Sequence, residues 1–114
     1  MGEKISVNDL RVRATAFFAR VVDLLVERNE ARGDSYLEAD LDDFASMFRD
    51  KGGRVRTCAR QDLQTPAVRR ELLDSIIDEA GYAALAALWL EEELNVTEEE
   101  WSSIFRKVND ADRN

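Results

Sequence analysis

The sequence predicts an all-α fold, a small bundle of about four helices. Three observations predict it. Five Gly and one Pro in 114 residues leave few places where a helix must stop. Apolar residues recur at i, i+3, i+4 and i+7 spacing through most of the chain. No run of convincing length alternates with the period of two that a half-buried strand requires.

The first helix is expected over 8–32. Asn8 is the candidate cap, Asp9 sits in the first turn, and Leu10, Ala14, Phe17, Val21, Leu24 and Leu25 form the apolar face. Gly33 is placed to terminate it, and Gly33-Asp34-Ser35 reads as a loop. A second helix is expected over 40–60, with Leu41, Phe44, Met47, Phe48, Val55 and Cys58 on one stripe. Gly52-Gly53 interrupts it, as either a break or a close backbone approach; each glycine costs about 1 kcal/mol in a helix interior.

Arg60 to Gln64 reads as a polar connector. Thr65-Pro66 then starts a third helix over 66–94, with a capping hydroxyl and a proline at the first helical position. Its apolar surface is wider than one neighbour needs, and Ala80, Ala83, Ala84, Ala86 and Ala87 permit close approach of another helix. Thr97 and Glu100 have capping-box spacing and open a last helix over 97–108, on Trp101, Ile104, Phe105 and Val108. Residues 109–114 are expected to fray. One domain is the expectation for 114 residues.

Composition removes whole classes of chemistry. Sixteen Lys and Arg against 24 Asp and Glu leave a net charge of −8, the wrong sign for gripping a nucleic-acid backbone. With no His, histidine-dependent nucleophile systems and His-ligated zinc or haem are excluded. A single Cys58 forms no internal disulfide and fits a reducing, cytoplasmic setting. The polar start, Met1 to Ser6, has no apolar signal-peptide core, and Ala80–Leu90 is too short to span a bilayer. Carboxylates remain as the reactive groups.

Two acidic pairs share one spacing. Glu27 and Glu30 lie three apart on the first helix, and Glu71 and Asp74 repeat this on the third, with Asp78 one turn on. Helix faces rich in such pairs are usually solvated. Here Asp78 interrupts an apolar face between Ile77 and Ala80, where a carboxylate costs desolvation. If the two helices pack antiparallel, the carboxylates converge. Magnesium, which takes oxygen ligands, waters and substrate phosphates, would offset their mutual repulsion.

Glu27-x-x-Glu30 followed by Glu71-x-x-Asp74 resembles the E-x-x-E … E-x-x-D signature of the MazG-like all-α nucleoside triphosphate pyrophosphohydrolases. The nearest branch is the nucleotide-modification-associated one, often phage-encoded. Arg28 to Tyr36 resembles its K-N-x-x-Y-G-D-S stretch, and Arg49 to Val55 its D-K-x-x-R helix. Leu73 to Ala83 resembles its D-x-ϕ-x-D-x-A-x-Y-A run, where ϕ is apolar. The likeness covers about 17–92.

The resemblance implies magnesium-dependent cleavage of a (deoxy)nucleoside triphosphate to the monophosphate and pyrophosphate. Glu27, Glu30, Glu71 and Asp74 would hold the metal, with Glu30 and Asp78 in the catalytic set. Asn29, Asp34, Lys51 and Arg54 would meet the substrate, the last two at phosphate oxygens. It also implies a homodimer or homotetramer, and phage-related nucleotide metabolism is the biological setting to expect. The alternative expectations are a non-catalytic helical protein that binds nucleotides or a protein partner, and an acidic inhibitor that mimics nucleic-acid charge. Tyr82, Trp89, Trp101 and Cys58 read as packing or interface residues.

Overall fold

The computed structural model describes the backbone over residues 4–32 and 39–113, and the side chains over 4–30 and 39–106. Four helices follow one another: α1 Val7–Arg32, α2 Leu41–Ala59, α3 Pro66–Leu94 and α4 Glu98–Arg113. The described residues contain no strand.

Local chemistry explains most boundaries. Helix α1 begins two residues earlier than an Asn8 cap suggests, because Ser6 does the capping: its Oγ accepts from the Asp9 amide at 3.1 Å. The expected terminator Gly33 and the loop with Asp34 lie outside the described residues. Helix α2 opens on a reciprocal box, with Asp40 accepting from the Asp43 amide at 2.9 Å and Asp43 accepting from the Asp40 amide at 3.0 Å.

Gly52-Gly53 neither breaks α2 nor marks a close approach. The helix runs through both, and a Cβ at either would meet open space. Its other contacts are enough to offset the glycine cost. Pro66 occupies the first turn of α3 as expected, whereas Thr65 makes no side-chain capping bond. The helix ends at Asn95, whose left-handed backbone (φ 55°) suits a short polar side chain. Thr97 and Glu100 form the expected capping box. Helix α4 then continues to Arg113, past the expected stop at 108, since no Gly or Pro follows Thr97 to end it.

Helices α2 and α3 form an antiparallel hairpin across the 60–65 connector, in extended contact along their length. Phe44, Cys58, Ser75 and Ala86 are buried on these two helices. Helix α1 meets α3 over a shorter stretch, also antiparallel, with Leu25 beside Gly81 and Arg28 beside Asp78. A Cβ on Gly81 would fall 3.3 Å from Leu25 Cδ2, so this glycine sets how closely α1 approaches. Among the described residues α4 shows no extended packing against another helix, and Trp101 Nε1 ties it to Glu91 Oε1 at 3.1 Å. No described helix is long and apolar enough to cross a membrane.

Candidate functional site

Where α1, α2 and α3 meet, a cleft of about 250 Å³ opens. Its acidic wall is α3, with Glu71, Asp74 and Asp78 at successive turns of one face. Its basic wall comes from the other two helices: Arg28 from α1, and Lys51 and Arg54 from α2. Leu24 and Ile77 supply apolar lining. The cleft therefore gathers three cations and three carboxylates.

Asp78 is the centre of this network. Lys51 Nζ donates to Oδ2 at 2.8 Å, and Arg28 Nη1 donates to Oδ1 at 3.2 Å. The Lys51 and Asp78 side chains are each only 15% exposed, so this pair is screened less than a surface one. Burial pushes the Asp78 carboxyl up. The hydrogen bonds and charges of Lys51 and Arg28 outweigh that and hold it below its ordinary value. The outer pair, Arg54 Nε to Glu71 Oε1 at 3.8 Å, is half-exposed and geometrically loose. No ion pair to Asp74 occurs among the described residues.

The acidic pair of α1 stands apart from the cleft. Leu24 and Arg28, four residues apart, are the α1 side chains that line it. At about 100° per residue, Glu30 lies about 160° around the helix from Arg28, and Glu27 about 100°. Both are exposed and neither lines the cleft. The residue between the two motif glutamates is the one that enters. Sequence spacing identifies two carboxylates on one face; it does not say which face turns inward.

Ser75 was not singled out from the sequence. It is 1% exposed, lines the cleft, and its Oγ has no hydrogen-bond partner among the described residues. Asn29 Oδ1 and Glu79 Oε1 are likewise buried without partners. Buried polar atoms left unpaired cost about 1–3 kcal/mol each, so such a group implies something that satisfies it. A polar residue in the middle of α3 between Asp74 and Asp78 was the available signal for Ser75. Asp34 lies outside the described residues.

Magnesium can be judged against this donor set. No group of three or more Cys, Asp or Glu among the described residues is gathered closely enough to form a metal cage. Magnesium usually needs only one or two carboxylates, with waters and substrate phosphates completing its shell. Glu71 and Asp74, one turn apart and open to solvent, fit that smaller demand.

Comparison with known proteins adds no relative: no family model matches the chain, and no curated protein or solved structure matches it significantly.

Proposed function

We propose that this chain is a MazG-like nucleoside triphosphate pyrophosphohydrolase, acting on a magnesium-bound (deoxy)nucleotide and releasing the monophosphate and pyrophosphate. One observation carries the reading. A single cleft presents carboxylates for a hard cation and basic groups for phosphate oxygens, beside a buried serine hydroxyl that lacks a partner. A magnesium–polyphosphate complex is the ligand whose alternating charges complement that lining.

Magnesium, when bound, would neutralise phosphate charge and lower the pKa of an attached water. Glu71 and Asp74 would hold it from α3. Arg54 and Lys51 orient phosphate oxygens, Arg54 with a planar fork suited to two of them. Ser75 donates its hydroxyl proton to one more oxygen. Asp78 accepts from Lys51 and Arg28 and holds both cations at the cleft. A carboxyl kept below its ordinary value is a weak base, so Asp78 serves better as this anchor than as a proton acceptor. Glu27 and Glu30 would contribute from outside the cleft as it stands, through movement of α1 or through another copy.

The second reading is a nucleotide-binding protein without catalysis. It is favoured by the ion pairs of the cleft, since internal cations already offset the carboxylates. One assay separates the two. Standard and modified deoxynucleoside triphosphates with magnesium are scored for pyrophosphate release and, separately, for binding. Hydrolysis predicts release that Glu71→Gln and Asp74→Asn each reduce at least about a hundredfold, with helical circular dichroism retained. Binding without release supports the second reading, and release unaffected by either change overturns the site.

A further inference from the structure

Two glycines sit side by side in the middle of α2, and their surroundings differ. Gly53 lines a second hollow, of about 580 Å³, whereas Gly52 lines neither it nor the cleft. Along α2 the lining recurs every fourth residue, through Arg49, Gly53, Thr57 and Gln61, so one face of the helix forms a wall. Position 53 is the place on that stripe without a side chain. No described atom lies within 4 Å of where its Cβ would stand. Nothing in the packing of the described residues therefore calls for glycine there, and in a helix interior glycine is a poorer choice than almost any other residue. A bare stretch of backbone is what a ligand needs for a close approach.

The hollow adjoins the cleft, since Arg54 and Glu71 line both. At about 250 Å³ the cleft is smaller than the 300–1,000 Å³ or so usual for a small-molecule site, whereas the hollow lies inside that range. A magnesium-bound polyphosphate fills the cleft, and the nucleoside attached to it has to continue elsewhere. The lining of the hollow suits that part. Ala67, Val68 and the buried Cys58 are apolar, and the guanidinium planes of Arg49 and Arg54 are flat surfaces on which a base can stack. Thr57 Oγ donates to the Gly53 carbonyl at 3.0 Å, and Gln61 Nε2 donates to the Thr57 carbonyl at 3.4 Å. Thr57 Oγ and Gln61 Oε1 can therefore accept from sugar hydroxyls or base N–H groups.

We infer that the hollow beside Gly53 holds the nucleoside end of the nucleotide, and that the missing side chain at position 53 is what admits it. This rests on the reading of the cleft as a polyphosphate site and adds the place where the base is accepted or refused. Gly53 is then a specificity-determining position. A large side chain there projects into the space of the sugar and base, while phosphates and magnesium stay in the cleft.

Isothermal titration calorimetry of the full chain with two kinds of magnesium-loaded probe tests this. One is a set of standard and modified deoxynucleoside triphosphates; the other is inorganic tripolyphosphate, which has the phosphates and no nucleoside. The wild type should bind at least one nucleotide about tenfold or more tightly than tripolyphosphate. Gly53→Leu should remove that advantage and leave the tripolyphosphate affinity unchanged. Gly52→Leu, next to it and outside the hollow, should keep the advantage. Both variants put a strong helix former where a Cβ meets open space, so both should unfold at higher urea concentration than the wild type. A nucleotide loss confined to Gly53→Leu is thereby separated from a loss of fold. A Gly53→Leu chain that keeps the advantage overturns the inference, and so does an equal loss in Gly52→Leu. Tripolyphosphate binding with no gain from the nucleoside overturns it too and leaves the cleft reading in place, whereas binding of neither probe overturns both.

Discussion

The α2–α3 hairpin and the N-terminal half of α1 have similar apolar content and opposite fates. In the hairpin, Phe44 is 1% exposed and Cys58, Ser75 and Ala86 are buried with it. In α1, Val21 is buried, but Phe18 one turn before it stays open. The difference is not hydrophobicity. A six-residue connector (60–65) folds α2 back along α3, and their contact buries Phe44 and Cys58 of α2 with Ser75 and Ala86 of α3. Helix α1 meets α3 near Gly81, and among the described residues Leu10 and Phe18 of its N-terminal half remain more than half exposed. Stability belongs to residues that have a partner, and apolar residues without one form a surface available for association.

The sharpest way to break this comparison is a matched truncation. Phe44→Ala should destabilise by about 3–5 kcal/mol, because it removes a large side chain from a packed site. Phe18→Ala, measured in dilute protein, should change stability by no more than about 0.5 kcal/mol. Urea unfolding followed by circular dichroism checks both, and equal effects would erase the distinction between the regions. The α1–α3 contact comes next. Gly81→Val forces branched carbons against Leu25 and should cost about 1–3 kcal/mol, with the helical content of the α2–α3 hairpin retained.

The smallest expected effect is the pH dependence of the cleft. Asp78 is held below its ordinary value of 3.8 in the folded chain, so it binds fewer protons there than in the unfolded chain. Its stabilising contribution is complete above about pH 4 and is lost as pH falls through the lower folded value. Unfolding curves between about pH 5 and pH 2 should therefore show an acid loss that Asp78→Asn lacks. Identical acid profiles would mean that Lys51 and Arg28 do not stabilise the ionised form. Titrating Asp78 by NMR would show its midpoint directly, below 3.8.

Much of the fold is legible in the sequence because helices are local. Spacing, Thr97 with Glu100, and Pro66 at the first turn of α3 all involve residues within one turn of each other. The misplaced features are local competitions with near-equal candidates. Ser6 and Asn8 both suit an N-cap, and Ser6 is the one with Asp9 three residues on. Gly52-Gly53 looks like a break by propensity, and the packing of α2 on α3 overrides it.

The candidate site was legible on one side only. Glu71, Asp74 and Asp78 stand out by residue type and spacing, Lys51 and Arg54 only through the family resemblance, and all five line one cleft. Arg28 and Ser75 completed it unforeseen. Which face of α1 turns toward α3 follows from Val21, Leu24 and Leu25, not from its acidic pair, and that choice brings Arg28 inward.

By itself, the sequence determined the all-α class with about four helices and the exclusion of histidine-dependent chemistry. These depend on composition and on interactions a few residues long. Only the tertiary structure decided that cations from α1 and α2 pair with Asp78 and Glu71 of α3, and which apolar turns remain uncovered. Those outcomes depend on the rotation and crossing point of whole helices. Contacts such as Leu25 on Gly81 set both, fifty-six positions apart in the chain.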